Sequence, residues 1–160
     1  LRDDYDQPLS LRAEDGALFA GGRRLVHLGD WAFQMPGEPQ SIRFWREDDG
    51  SILSTGPDGK QYRLHPRIEA ADVRREDYVG HYWSDDLGVE YEVRIEEDRL
   101  VFWNRKIGSR TLNTLFRDGF SAGRGVVFSR DSDGVVDGFT ISSGRSWKVR
   151  FRRMAGPYPG

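Results

Sequence analysis

The 160-residue chain carries one pattern of strands and turns twice, and that duplication limits its fold more than any other feature. Leu9, Leu11, Ala13 and Leu18 line up with Tyr91, Val93, Ile95 and Leu100 at a spacing of 82 residues. Ile42, Phe44, Gly50 and Ile52 line up with Val126, Phe128, Gly134 and Val136 at 84. Phe33, Tyr62, Arg63 and Leu64 line up with Phe120, Val149, Arg150 and Phe151 at 87. A spacing that drifts upward from 82 to 87 is what small loop insertions produce between two copies of one supersecondary unit. Each copy reads as an alternating strand, a turn, a strand, a loop with Asp and Phe, a strand, an Asp-Gly turn, a strand and a closing Arg-bearing strand.

Within each copy the hydrophobic period is two. Val89, Tyr91, Val93 and Ile95 alternate with Glu90, Glu92, Arg94 and Glu96, the mark of a half-buried β-strand. Trp147, Val149 and Phe151 alternate likewise with Lys148, Arg150 and Arg152. Gly16, Gly50, Gly59 and Gly134 each follow an Asp, a pair suited to tight hairpin turns. No stretch carries a convincing helical stripe; one short helical turn is expected near Ala70 to Arg75. The expected fold is all-β: two small antiparallel up-and-down barrels in tandem, lipocalin-like in topology. The boundaries read as a first unit over 1–66, a polar linker over 67–76, a second unit over 77–154 and a tail over 155–160. The second unit opens with Tyr78-Val79-Gly80-His81-Tyr82-Trp83, and the counterpart of that strand falls ahead of Leu1. The first unit therefore reads as N-terminally truncated, and the chain as a processed product or excised fragment.

Composition removes several classes of function. A hydrophobic share of 37%, with 12% aromatic, is enough for a core. Lys and Arg number 24 against 26 Asp and Glu, so no global basic field gathers nucleic acid. The absence of cysteine excludes disulfides, thiolate catalysis and Cys-ligated zinc. No apolar run approaches the ~20 residues of a membrane-spanning helix. Nucleic-acid and membrane partners are not expected.

The catalytic constellations also fail. Ser-x-x-Lys is missing, Ser146-Trp147-Lys148 has the wrong spacing, and no Gly-x-Ser-x-Gly nucleophile elbow is read in the chain. His27, His65 and His81 lack the local context of a triad. Asp131-Ser132-Asp133-Gly134 and Glu47-Asp48-Asp49-Gly50 sit at equivalent places in the two copies, so they read as hairpin turns rather than calcium loops. No metal site and no cofactor are expected. Glu90, Glu92, Glu96 and Glu97 read as a solvated face paired with Arg94 and Arg99. Tyr78, Gly80, Tyr82 and Trp83 read as the start of a closed barrel, with aromatics filling the interior and Gly easing a close approach. Ligand stacking on those rings is the other reading. The segment Arg117-Asp118-Gly119-Phe120-Ser121-Ala122-Gly123-Arg124-Gly125 reads as a mobile Gly-rich loop, and its Arg, Asp, Ser and aromatic side chains are suited to meeting a partner.

The string from Tyr78-Val79-Gly80-His81-Tyr82 through Leu115-Phe116-Arg117-Asp118-Gly119-Phe120 and Gly134-Val135-Val136-Asp137-Gly138-Phe139 to Arg150-Phe151-Arg152-Arg153 resembles a known module. It is similar to the C-terminal tandem β-barrels of serine hydrolases related to class C β-lactamases, above all the D-aminopeptidase branch. The resemblance implies a non-catalytic accessory region. Its partner would be an N-terminal serine hydrolase domain carrying the nucleophile, and no catalytic residue transfers to this chain. A loop of the last barrel would reach the catalytic cleft and narrow substrate access; by position that loop is Arg117, Asp118, Gly119, Phe120, Ser121 and Arg124. The compartment would be the bacterial cytoplasm or periplasm. The alternative is a single lipocalin-like barrel that binds a small apolar ligand, to which Gly29-Asp30-Trp31 and the overall length are suited. Unpaired strand edges in a truncated unit also lead to an expectation of homodimers.

Overall fold

The computed structural model describes residues 10–56, 59–143 and 146–157, the side chains of Ser143, Ser146 and Trp147 excepted. These residues form an all-β protein that divides at Pro66–Arg67 into two compact units. Unit 1 contains β1 (Leu11–Glu14), β2 (Ala17–Ala20), β3 (Arg23–Arg24), β4 (Val26–Gly29), β5 (Ala32–Gln34), β6 (Ser41–Arg46), β7 (Ile52–Thr55) and β8 (Gln61–Leu64). Unit 2 contains β9 (Gly80–Ser84), β10 (Val89–Glu96), β11 (Arg99–Asn104), β12 (Gly108–Thr111), β13 (Asn113–Phe116), β14 (Gly119–Ser121), β15 (Gly125–Arg130), β16 (Val136–Ser143) and β17 (Ser146–Met154).

In unit 2 one sheet runs β12-β11-β10-β9-β17-β16-β15-β14-β13, every pair antiparallel. Its two end strands are separated only by Leu112, whose N–H donates to the Leu100 carbonyl at 2.8 Å. They are two halves of one bent strand, so the meander comes back on itself as a nearly closed barrel. The alternating aromatics explain what fills it. Tyr82 is wholly buried, Phe139 and Phe151 stack with centroids 4.6 Å apart, and Tyr78 meets Phe120 and Phe128 edge-on at 5.0 and 4.8 Å. Such ring pairs contribute about 1 kcal/mol each beyond their burial. At Gly138 only a glycine fits, since a Cβ there would lie 2.4 Å from the Phe151 carbonyl oxygen of the adjacent strand.

The segment read as a linker belongs to unit 2. Ala70–Asp72 and Arg75–Tyr78 each form a short 3-10 helix, while Val73 and Ile68 pack against the barrel core. The charges at Arg67, Glu69, Asp72 and Arg74 conceal two apolar residues that anchor the segment.

Unit 1 repeats the plan in shorter strands. Its sheets run β1-β2-β3 and β4-β5-β6-β7-β8, broken at Leu25, whose N–H donates to the Leu18 carbonyl at 2.8 Å as Leu112 does to Leu100. The hairpin turns correspond as well. Asp15 and Gly16 take φ of 48° and 72°, and Glu97 and Asp98 take 47° and 60°. Glu47 and Ser51 bond backbone to backbone at 2.9 Å, as do Asp131 and Val135. Asp49 and Asp131 spend carboxylate oxygens on backbone N–H groups of their own turns, which is the hairpin role expected of both acidic stretches. Unit 1 buries Ala20, Leu25, Ile42, Phe44 and Tyr62. Among the described residues no strand stands where β9 stands in unit 2, so β1 and β8 each have one paired neighbour. Among the described residues the strands of 11–64 and those of 80–154 share no sheet.

Candidate functional site

The segment 117–125 is a hairpin and two strands, not the mobile loop expected of it. Arg117 and Asp118 turn the chain, Asp118 at φ 64°. Gly119–Ser121 is β14, and β15 starts at Gly125. Phe120 is buried in the core, and Gly119 is buried because the Phe116 ring occupies the space where its Cβ would be. Ser121 is half-buried, and Arg117, Gly123 and Arg124 are the exposed members. The glycines that suggested mobility serve close packing and tight turns. Residues 119–123 do spell Gly-Phe-Ser-Ala-Gly, so the expectation that Gly-x-Ser-x-Gly is absent needs correction. The elbow itself requires strand, turn and helix; here Ser121 ends a strand paired with Asn113 and Gly125, and the chain continues into another strand.

Asp118 is the centre of a polar plug at one end of the unit 2 barrel. Arg130, at the end of β15, donates to both of its carboxylate oxygens at 2.8 to 3.1 Å. The same guanidinium reaches Asp77 Oδ2 at 3.3 Å and the Gly134 carbonyl at 2.7 Å. It also lies 5.6 Å from the Tyr78 ring centroid. The Tyr78 hydroxyl donates to Asp118 Oδ1 at 2.8 Å. Burial, then the Asp118 carboxylate, push the Tyr78 phenol up to about 12, and burial does the same to Tyr82. This is a fully partnered structural network.

The outer face of β9, β10 and β11 is charge-paired as its alternation implied. His81 Nδ1 lies 2.8 Å from Glu90 Oε1. Arg94 bridges Glu92 and Glu96 and lies over the Trp103 ring at 5.3 Å. Hydrogen bonds from Arg94 and from the Ser109 hydroxyl hold the Glu96 carboxyl below its usual range. A shallow groove beside this face is lined by His81, Glu92, Trp103, Asn104 and Lys106.

A different arrangement stands at the corresponding corner of unit 1. The turn between β4 and β5 is Asp30-Trp31, with both residues left-handed at φ 46° and 59°. Trp31 is 70% exposed. Its carbonyl accepts the Phe44 N–H at 3.0 Å, as the Asp118 carbonyl accepts the Phe128 N–H at 2.7 Å. That bond makes Trp31 the equivalent of Asp118, and the 84-residue spacing makes Arg46 the equivalent of Arg130. The carboxylate of unit 2 is thus an indole in unit 1. Asp30, Trp31, Arg43, Trp45, Arg46 and Ile52 line a cavity of about 530 Å³. Trp45 Nε1 donates to Glu47 at 2.6 Å. Neither Arg43 nor Arg46 makes an ion pair among the described residues. Gly29-Asp30-Trp31, the segment suited to a lipocalin-like barrel, ends β4 and forms the turn into β5. No protein-family model matches the chain, and a search of curated proteins gives no match.

Proposed function

We propose that this chain is a non-catalytic interaction module: a pair of small β-barrel units of the kind that accompanies a β-lactamase-related, D-aminopeptidase-like serine hydrolase domain. The observation that carries this reading is the interior of unit 2, where aromatic rings from Tyr78 to Phe151 occupy the space a ligand would need. Small barrels filled in this way work through their outer surfaces. The exposed corner of Trp31, Arg43, Trp45 and Arg46 supplies such a surface, with the aromatic and arginine side chains that dominate protein interfaces. Gating of a catalytic cleft, in this reading, falls to a barrel surface rather than to a mobile loop, because 119–121 is paired strand.

The test is direct. The chain alone should not turn over a chromogenic β-lactam or a D-amino-acid anilide. Turnover that a serine-reactive inhibitor abolishes overturns the proposal. Titration with a fluorescent fatty acid should also give no saturable binding; one-to-one binding that displaces the aromatic interior would favour the alternative of an apolar-ligand carrier.

A further inference from the structure

The turn between β4 and β5 holds Trp31 70% exposed and in a left-handed conformation, which costs the fold energy and recovers little burial. Trp45 on β6 is half-buried, and its Nε1 donates to Glu47 Oε1 at 2.6 Å, which restrains the ring. The two indoles line one cavity with Asp30, Arg43, Arg46 and Ile52, so a carboxylate and two guanidinium groups share a small space. Its volume of about 530 Å³ lies within the range of about 300–1,000 Å³ usual for small-ligand sites. The charges select among ligands. An anion drawn to Arg43 and Arg46 meets the Asp30 carboxylate, and a cation drawn to Asp30 meets the guanidinium groups. An apolar ligand would strip water from these charges without replacing its hydrogen bonds. A protein partner would need an opposite charge set against each of them. A neutral polyol needs none, because every hydroxyl both donates and accepts and so serves carboxylate and guanidinium alike.

We propose that this corner of unit 1 binds a neutral carbohydrate chain, with one pyranose ring laid on the Trp31 indole and its hydroxyls bonded to Asp30, Arg43 and Arg46. The site deepens the interaction-module reading and rests on it, since the corner is the recognition surface that reading calls for. A pyranose has a flat face of C–H bonds, which the negative face of an indole attracts, and an edge of hydroxyls, which planar carboxylate and guanidinium groups can grip. Buried Phe44 closes the cavity below, so the sugar chain lies across the unit rather than entering it. The exposure of Trp31 at the tip of its hairpin leaves room for the chain to pass on either side.

The probes are the neutral oligosaccharides cellohexaose, chitohexaose and maltohexaose, titrated into the intact chain and followed by indole and amide chemical shifts. At least one should give saturable shifts centred on the Trp31 and Trp45 indole N–H groups. Trp31→Gly suits the left-handed backbone and so keeps the fold; it should weaken binding about tenfold, and Trp31→Phe should restore most of the loss. Asp30→Ala should also weaken binding about tenfold, whereas Trp103→Ala in unit 2 should leave it unchanged. Raising salt from ~50 to ~500 mM should change the affinity by less than about twofold, because the ligand is uncharged. Failure of every one of these sugars to bind overturns the site, as do shifts centred elsewhere or binding indifferent to Trp31. Binding of polygalacturonate, an acidic chain, that salt abolishes and Asp30→Ala strengthens would show that the arginines select an anion, and overturns it as well. Self-association of the chain that Trp31→Gly abolishes, with no sugar bound, assigns the corner to a second copy and likewise overturns it. Loss of the site with hydrolysis still absent leaves the non-catalytic reading standing, whereas inhibitor-sensitive hydrolysis removes that reading whatever the sugars do.

Discussion

Unit 2 closes its barrel end with an arginine held by two carboxylates and a phenol, while unit 1 leaves the matching arginine exposed beside an indole. The two corners share the hydrogen bond from β6 or β15 to the turn carbonyl, although Asp30 is left-handed where Arg117 is not. The carboxylates of Asp118 and Asp77 and the Tyr78 phenol make the unit 2 corner a structural plug, whereas in unit 1 Trp31 stands on the surface. The lesson extends to the cores. Unit 2 buries a continuous set of rings, whereas Phe33 and Phe44 of unit 1 meet at 5.7 Å with Phe33 only half-buried. A duplicated fold thus keeps its turns and its register while its copies diverge in packing.

The most forceful way to break that comparison is to cut the larger core. Phe139 touches Tyr82, Phe128 and Phe151 and is 1% exposed. Phe139→Ala should destabilise unit 2 by about 4 kcal/mol through lost burial and the cavity left behind. Phe33→Ala in unit 1 should cost roughly half of that, because its ring is only partly withdrawn from water. Hydrogen exchange resolved by residue measures both, and equal losses would mean that the two cores contribute alike.

The corners come next. Asp118→Asn weakens the pairing of Arg130 and disturbs the Tyr78 hydroxyl, and should destabilise unit 2 by about 2 to 3 kcal/mol, a breached ion pair discounted for partial solvent access. Arg46→Ala in unit 1 removes an exposed side chain with no ion pair and should change stability by less than about 0.5 kcal/mol. Denaturant unfolding of the two variants checks the contrast, which fails if Arg46→Ala is as costly as Asp118→Asn.

Much of this architecture is written in local pattern. The alternation at Val89–Ile95 set the strand, Asp-Gly and acidic turn residues set the hairpins, and the spacing of 82 to 87 residues set the number of units. What stayed hidden was whatever depends on the partner of a residue. Arg130 lies 12 residues from Asp118 and 53 from Asp77, so nothing along the chain shows the three together. The run Asp118-Gly119-Phe120-Ser121-Ala122-Gly123 looked like a loop because glycine marks both mobility and close packing, and only the Phe116 ring against Gly119 distinguishes them. The charges of 67–76 looked like a linker because two anchoring residues, Ile68 and Val73, carry little weight in a composition. Trp31 was visible as an unusual residue, but its exposure and its equivalence to Asp118 required the turn to be seen.

Alkali tests unit 2 by a smaller effect. Tyr78 and Tyr82 titrate at about 12 in the folded protein, against about 10 for a solvated tyrosine. A raised folded value means that both contribute stability fully below pH ~10, and that the contribution is lost as pH rises toward 12. Unit 2 should therefore lose structure between about pH 10 and 12, with tyrosinate absorbance near ~295 nm appearing together with the loss. Tyr78→Phe should shift the midpoint upward by removing one ionisation. Ionisation of all tyrosines near pH ~10, with amide protection intact, would contradict the assignment.

The smallest effect has the opposite sign. Trp31 occupies a left-handed conformation, which costs a non-glycine residue about 1 kcal/mol, and a two-residue hairpin turn favours Asn-Gly at such positions. In unit 2 the equivalent strain at Asp118 is offset by its bonds to Arg130 and Tyr78. In unit 1 the exposed indole recovers little by burial, so Trp31→Gly should stabilise the unit by up to about 1 kcal/mol. A strained, exposed indole whose removal raises stability is a residue that folding of the unit does not require. If Trp31→Gly instead destabilises unit 1, the indole is a packing residue of its turn, and the contrast between the corners reduces to two ways of closing the same hairpin.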